Sequence, residues 1–391
     1  MPTNKIVIEN PKSTVVANYQ AEARTETQYQ SEAALEEAFI RLLQDQAYEY
    51  LPLHTEQELI SNLRRQMEAL NDISFTDTEW KRFYTTILAN QNNGIVEKTR
   101  LIQEDNVQTF LFDNGEQKNL RIFDRKNVHN NRLQVINQYT PEGGARDNRY
   151  DVTILVNGLP LVHVELKRRG VPIREVFNQI NRYQRESFWS GTGLFQYVQI
   201  FVISNGTETK YYSNTTRFAH VRQNGGKQKP GQGRHTSNSF EFTSWWADEQ
   251  NVPITDLTDF TKTFFAKHTL LNIIAKYCVF TSEQLLMVMR PYQICATEKI
   301  INRVIIAHNY HWEGSLQAGG YIWHTTGSGK TLTSFKTARL ATQLDFIDKV
   351  VFVVDRKDLD YQTMKEYDRF EKGAANSNTS SNILRRQLGS S

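Results

Sequence analysis

Apolar residues recur at helical spacing in the first quarter of the chain and then change to a two-residue period. Leu35, Phe39, Leu42 and Leu43 fall on one helical face, so a helix is predicted to begin near Ser31. A second helical region, about 55–92, carries Leu59, Leu63, Met67 and Leu70, then Trp80, Phe83 and Ile87. Between Thr109 and Val135 the runs are short, as in Phe110-Leu111-Phe112 and Leu120-Arg121-Ile122-Phe123, and read as strands. Val152, Ile154 and Val156 then alternate with their neighbours, Asn157-Gly158 follows, and Leu161 to Leu166 returns. Asn-Gly between such runs is a strong hairpin signal.

This hairpin carries the first candidate chemistry. Asp151 begins one strand, and Glu165 and Lys167 lie near the end of the other, where positions i and i+2 share a face. Two carboxylates and a lysine on one face suit a magnesium-dependent phosphodiesterase. Asp151 and Glu165 hold the hard cation, which polarises a phosphate and acidifies a water. Lys167 orients that water or stabilises charge on the phosphorane oxygens. A plain two-residue turn pairs Val156 with Leu159 and Asp151 with Val164, which puts the two carboxylates on opposite faces. One bulge moves the partner of Asp151 to Glu165. Pro160, which cannot donate to the ladder, makes such a bulge expected. The bland alternative for Glu-x-Lys is a solvated hairpin face.

Downstream, Pro172 suits the first turn of a helix whose apolar face is Ile173, Val176, Phe177, Ile180 and Tyr183. Gln179 and Tyr183 stand four residues apart and reach one surface. Tyr197 to Ile203 reads as a strand, and Asn205-Gly206 turns the chain into Lys210-Tyr211-Tyr212. Residues 213–240 contain Arg217, Arg222, Lys227, Lys229 and Arg234 with no acidic residue, and read as a flexible basic loop. Order resumes at Trp245-Trp246, and 257–290 reads mostly as helices.

From Arg290 the pattern is helix (292–308), strand (320–323), Gly-rich turn, helix (330–343) and strand (350–354), the alternation of a parallel α/β sheet. The turn is Thr326-Gly327-Ser328-Gly329-Lys330-Thr331. Its backbone N–H groups and the helix dipole suit the phosphates of a nucleotide, with Lys330 on β/γ-phosphate charge and Thr331 on magnesium. The full pattern asks for Gly where this chain has His324. Val350 to Asp355 imitates a strand ending in a Walker B acid, but it is only the first strand after the turn, and with Arg356 and Gln362 it looks more like helicase motif Ia near a DNA strand. The expectation is weak ATP binding at best, without turnover.

Composition adds limits. A net charge of +3 with 39% hydrophobic and 23% charged residues suits a water-soluble globular chain of two or more domains. Cys278 and Cys295 show no metal or redox spacing. No run is long enough to span a membrane, and Met1 to Lys5 lacks an apolar signal core, so a cytoplasmic location is expected. The expected division is a loose arm (1–28), a first domain (29–260), the beginning of a second (261–373) and a disordered tail (374–391).

Asp151, Glu165-Leu166-Lys167, then Gln179 and Tyr183 resemble the core of PD-(D/E)xK nucleases, and within them the RecB-like branch with its Gln-x-x-x-Tyr helix. Tyr150 stands where many members have Pro, which the family tolerates. The resemblance implies that Gln179 and Tyr183 support the site or contact DNA. It also implies that an acidic residue on the first helix, Glu36, faces the metal, although Glu32 and Glu36 are equally readable as helix-surface charges. Arg290-Pro291-Tyr292-Gln293 resembles superfamily 2 helicases, where such a Gln reads the adenine edge. Together with Arg149 to Gly158, Val202 to Gly206 and Trp323 to Thr331, the chain resembles the restriction (R, motor) subunit of type I restriction–modification enzymes over nearly all of residues 30–370. That implies a nuclease core of mixed sheet flanked by helices, followed by an incomplete RecA-like domain. It implies cleavage of double-stranded DNA with Mg2+, ATP-driven translocation in the full protein, and methyltransferase (M) and specificity (S) subunits as partners. A repair helicase–nuclease and a non-catalytic docking fragment are the alternatives. If the basic loop contacts DNA backbone, deleting 213–240 should lower DNA affinity and flatten its salt dependence. An unchanged salt slope would leave it a solvated insertion.

Overall fold

The computed structural model describes residues 14–21, 31–140, 149–186, 193–214, 240, 243–354, 357–374 and 381–389. Helix α1 (Glu32–Gln44) starts where Ser31 accepts the N–H of Ala34, and buries Leu35, Phe39, Ile40 and Leu43. After β1 (Glu49–Tyr50), the helical region expected as one piece divides. Helix α2 (Glu56–Asn71) opens on a Thr55–Glu58 capping box and ends at Asp72, whose φ of 51° is left-handed. Thr76 and Glu79 form a second capping box for α3 (Asp77–Phe83), which runs into a π-helical turn. Helix α4 (Ile95–Gln103) and a separate hairpin of β2 (Val107–Leu111) and β3 (Gln117–Arg121) follow.

The centre is a six-stranded mixed sheet. Its further members are β4 (Leu133–Tyr139), β5 (Tyr150–Val156), β6 (Leu159–Leu166), β7 (Ile200–Ser204) and β8 (Thr209–Ser213), in the order β1-β4-β5-β6-β7-β8. The β1–β4 and β6–β7 pairs are parallel and the others antiparallel. Every residue of β6 is buried, as befits a strand covered on both faces. Helix α5 (Ile173–Glu186) packs on β6 and β7, and α1 also meets β6.

Beyond the sheet come a short pair, β9 (Trp246–Ala247) and β10 (Pro253–Ile254), then α6 (Leu257–Thr263) and α7 (Lys267–Lys276). The boundary expected near residue 260 falls inside α6, which packs against α1. The stretch read as helical up to 290 ends in a hairpin, β11 (Cys278–Phe280) with β12 (Leu286–Val288). Helix α8 (Pro291–Asn309) packs on α9 (Lys330–Ala341), and α10 (Lys357–Phe370) on α9. Helix α11 (Ser381–Gly389) lies within the tail expected to be disordered.

Two strands expected in this half do not form. Residues 320–323 and 350–354 belong to no sheet among the described residues, and Tyr321, Trp323 and Val353 are each more than four-fifths exposed. A strand of a parallel sheet draws its hydrogen bonds from neighbouring strands, and no described residue pairs with either segment. The arm also differs from expectation. Val15 and Val16 donate their N–H groups to the Glu298 carboxylate at 2.7 and 3.3 Å, and the Tyr19 hydroxyl donates to Asp259 at 2.7 Å. Non-periodic backbone is held here by side-chain acceptors distant in sequence, which periodicity does not reveal.

The β5–β6 turn has φ of 51° at Asn157 and 82° at Gly158, the two positive values of a type I′ turn. The Asn157 side chain donates to Asn131 Oδ1 at 2.8 Å and accepts from the Arg132 N–H at 2.9 Å. A Cβ on Gly158 would stand 2.7 Å from Leu63 Cα. Gly158→Ala should therefore cost roughly 2 kcal/mol or more, from the left-handed φ and the displaced α2 backbone. Thermal unfolding checks this, and an unchanged Tm would contradict it.

Candidate active site

Val156 pairs with Leu159 and Leu155 with Pro160, but Ile154 pairs with Val162, so the register shifts between Ile154 and Leu155. The bulge admits one extra residue, Leu161, on β6 beside the proline. Thr153 then lies opposite His163 and Val152 opposite Val164. The same count sets Asp151 across from Glu165, and the two carboxylates share a face as the bulged reading requires.

The face they share is polar inside a strand that is otherwise apolar. Glu165 is fully buried, and Asp151 accepts the Leu166 N–H at 2.9 Å. His163, also fully buried, places Nε2 3.2 Å from Glu165 Oε2 and Nδ1 3.3 Å from Thr153 Oγ1. Lys167 continues the file with Nζ 3.2 Å from Glu32 Oε2, while its own N–H donates to the Ser204 carbonyl at 2.9 Å.

Burial, and next the charge of Glu165, push the Asp151 carboxyl up to about 8. Burial lowers His163 to about 4, so its imidazole is neutral near pH 7. A divalent cation between Asp151 and Glu165 would offset the cost of burying the Asp151 charge and screen the charge of Glu165, so this pair fits such an ion. No group of three or more His, Cys, Asp or Glu is arranged for a metal among the described residues. Two carboxylates, with water and phosphate completing the shell, is a magnesium-like donor set.

The other expected residues are placed as follows. Glu36 is buried beneath the sheet edge, where it accepts from Asn137 at 2.6 Å and from Gln138. Burial raises its carboxyl, and those two hydrogen bonds partly oppose the shift. The acidic side chain of α1 that touches the Asp151–Glu165–Lys167 file is Glu32, one turn earlier. Gln179 is half-buried on α5, and the side chain of Tyr183 lies outside the described residues.

His163 is an addition that sequence reasoning passed over, and Glu32 was read only as a helix-surface charge beside Glu36. The signal for His163 was present: His163, Glu165 and Lys167 are polar at every second position of Leu161-Val162-His163-Val164-Glu165-Leu166-Lys167. Only the shifted register shows that Thr153 stands opposite it.

The Gly-rich turn forms as a loop ahead of α9, with φ of 76° at Gly327 and 78° at Gly329. Lys330 Nζ folds back onto the carbonyls of His324 and Thr325, at 3.2 and 3.0 Å. Gln293 accepts the Arg290 N–H at 2.9 Å and donates to the Ser328 carbonyl at 2.9 Å, and the Tyr292 hydroxyl reaches the same carbonyl at 2.8 Å. In this conformation Gln293 braces the turn. A Cβ on Gly329 would lie 2.4 Å from Gln293 Nε2 and would displace that amide from the Ser328 carbonyl, while the left-handed φ itself favours glycine. The loop thus brings Thr326, Gly327, Ser328, Gly329, Lys330 and Thr331 together at the start of α9. Asp355 and Arg356, and all of the basic loop from 215 to 239, lie outside the described residues.

Residues 29–220 match the family described as type I restriction enzyme R protein N terminus, and residues 292–391 match the SWI2/SNF2 ATPase family. An Escherichia coli protein named as the type I restriction enzyme EcoprrI endonuclease subunit is 47% identical over 301 residues, covering 77% of this chain and 90% of the relative. The SsaAORF53P endonuclease subunit of Staphylococcus saprophyticus is 38% identical over 366 residues, covering 92% of this chain but 35% of its own length. A Mycoplasma pneumoniae protein, named as the C-terminal part of the putative type I restriction enzyme MpnIIP endonuclease subunit, is 51% identical over 145 residues, 37% of this chain and 70% of the relative. The chain therefore spans about a third of the staphylococcal relative.

The electrostatics give a pH dependence. Asp151 is protonated in the ion-free fold below about pH 8 and must release that proton when an ion binds. Apparent divalent-ion affinity should rise with pH by up to about tenfold per unit and level off above about pH 8. Without the ion the sign for stability is the opposite. A carboxyl raised on folding favours the fold most below its unfolded value, and the benefit fades as pH climbs from about 4 to about 8. Calorimetric titration with Mn2+ at several pH values checks the first statement; a pH-independent affinity would contradict it.

Proposed function

Because the chain belongs to the family of type I restriction enzyme endonuclease subunits, we propose that it carries the DNA-cleaving centre of such a protein. Asp151, Glu165 and Lys167 are assigned to magnesium-dependent hydrolysis of double-stranded DNA. The observation that carries the assignment is the shifted β5–β6 register, which aligns the buried Glu165, the half-buried Asp151 and a lysine on one face.

Asp151 and Glu165 would hold the cation. When bound, Mg2+ supplies Lewis acidity toward a phosphodiester and a more acidic water. Lys167 brings a positive charge that can leave Glu32 for the non-bridging oxygens of a DNA phosphate, or for the attacking water. The exchange is feasible because Glu32 is about half exposed, and its ion pair with Lys167 is a weak surface-type contact. Asp151 is held by the Leu166 N–H, and Glu165 by His163. Gln179 and Tyr183, on α5 behind β6 and β7, are assigned to support or to DNA contact. Glu36, which the resemblance put against the metal, is here engaged by Asn137 and Gln138, so this proposal gives it no ligand role.

The turn at Thr326 to Thr331, braced by Gln293, is proposed to take the phosphates of ATP-Mg within a longer protein, where nucleotide turnover would drive movement along DNA. Its likeness to the SWI2/SNF2 ATPase family supports that reading. Lys330 would exchange the His324 and Thr325 carbonyls for phosphate oxygens. Methyltransferase and specificity subunits are the proposed partners, with site recognition assigned to them. The chain is proposed to act in the cytoplasm, and among the described residues no helix is long and apolar enough to cross a membrane.

The test is cleavage of unmethylated plasmid by the chain assembled with methyltransferase and specificity subunits, with and without ATP. Glu165→Ala and Lys167→Ala should each reduce Mg2+-dependent cleavage by about a hundredfold or more while leaving assembly intact. Wild-type cleavage by either variant would overturn the assignment.

A further inference from the structure

His163 is used by neither the metal nor the lysine, yet it occupies the centre of the buried face. Its ring is completely enclosed, edge-on to Tyr150 at 5.5 Å and to Phe201 at 6.2 Å between ring centres. It lies directly opposite Thr153, two residues before Glu165 on the same side of β6. Its two nitrogens face different partners: Nε2 a carboxylate oxygen at 3.2 Å, Nδ1 a hydroxyl at 3.3 Å.

This arrangement fixes the tautomer. A carboxylate that ligates a cation is ionised and only accepts, so in that state Nε2 carries the proton and donates it to Glu165 Oε2. Nδ1 is then an acceptor, and the Thr153 hydroxyl donates to it. The chain Thr153 to His163 to Glu165 then runs in one direction, and the Tyr150 and Phe201 rings pack edge-on against the imidazole. An apolar residue of this size would fill the same space with no polar group to satisfy, so packing alone does not account for a histidine.

We propose that His163 is a positioning residue that, braced by Thr153, orients the Glu165 carboxylate for a divalent cation. The inference rests on the assignment of Asp151 and Glu165 as cation ligands. Hydrogen bonds from outside the coordination sphere set the orientation of ligating groups, and their loss typically weakens metal binding about ten- to a hundredfold. The role is distinct from that of Lys167, which acts on the phosphate.

The test uses the assembled complex with Mn2+ as probe, read by direct binding and by the metal concentration that half-saturates plasmid cleavage. His163→Leu should raise both constants about tenfold or more, with cleavage partly recovered at high metal. His163→Gln, whose amide can still donate to Glu165, should restore part of the affinity. Thr153→Val removes only the bracing hydroxyl and should show a smaller shift in the same direction. A folded His163→Leu with the wild-type isotherm would overturn the proposal; should that variant not fold, an unchanged isotherm in Thr153→Val would do so. Equal losses in the Leu and Gln variants would also overturn it, because they mark a packing role alone. Glu165→Ala separates the two levels. If it keeps Mn2+ affinity, the site assignment itself fails; if it loses affinity while the His163 variants do not, only the positioning role fails.

Discussion

A single shift in strand pairing underlies the site. With the unbroken register of a two-residue hairpin, Asp151 would stand opposite Val164, and the two carboxylates would lie on different faces of the sheet. The extra residue beside Pro160 moves Val152 opposite Val164 and carries Asp151 to the side of Glu165. Side chains on a strand alternate with a period of two, so a one-residue slip exchanges every face. The turn fixes one end of this pairing through Asn157 and Gly158, and beyond the shift Thr153 pairs with His163 and Val152 with Val164.

Its consequence is electrostatic. β6 is buried along its whole length, so a polar file on it must find its partners within the protein. Thr153, His163, Glu165, Asp151 and the Leu166 N–H supply partners to one another, and ionising both carboxylates would set two like charges side by side in repulsion. That repulsion adds to burial in making Asp151 hold its proton so strongly, and it is why a cation suits the position. Toward solvent the file ends in Lys167 and Glu32, its more exposed members, which can rearrange around a ligand.

Much of this was legible in the sequence because it is local. A helix starts near Ser31, Asn157-Gly158 marks the turn, and Pro160 the bulge. The helix caps and the shifted register are both present in the structure. What escaped reading depends on contacts distant in sequence. Glu298 fastening Val15 and Val16, and Glu32 rather than Glu36 reaching Lys167, are set by how elements meet, which no period reports. His163 escaped although it shares the two-residue period of Glu165 and Lys167, because its role shows only once Thr153 is known to face it. The expected strands at 320–323 and 350–354 failed for a different reason. An apolar run shows that a segment can be a strand, but pairing requires neighbours, and among the described residues these segments have none.

The central claim is that this register builds one divalent-ion site from Asp151 and Glu165. Anomalous diffraction from crystals of the complex soaked in Mn2+ tests it most directly. The account predicts a peak between the two carboxylates, lost in Asp151→Asn. Mn2+ held elsewhere, with that position empty at concentrations that support DNA cleavage, would contradict it.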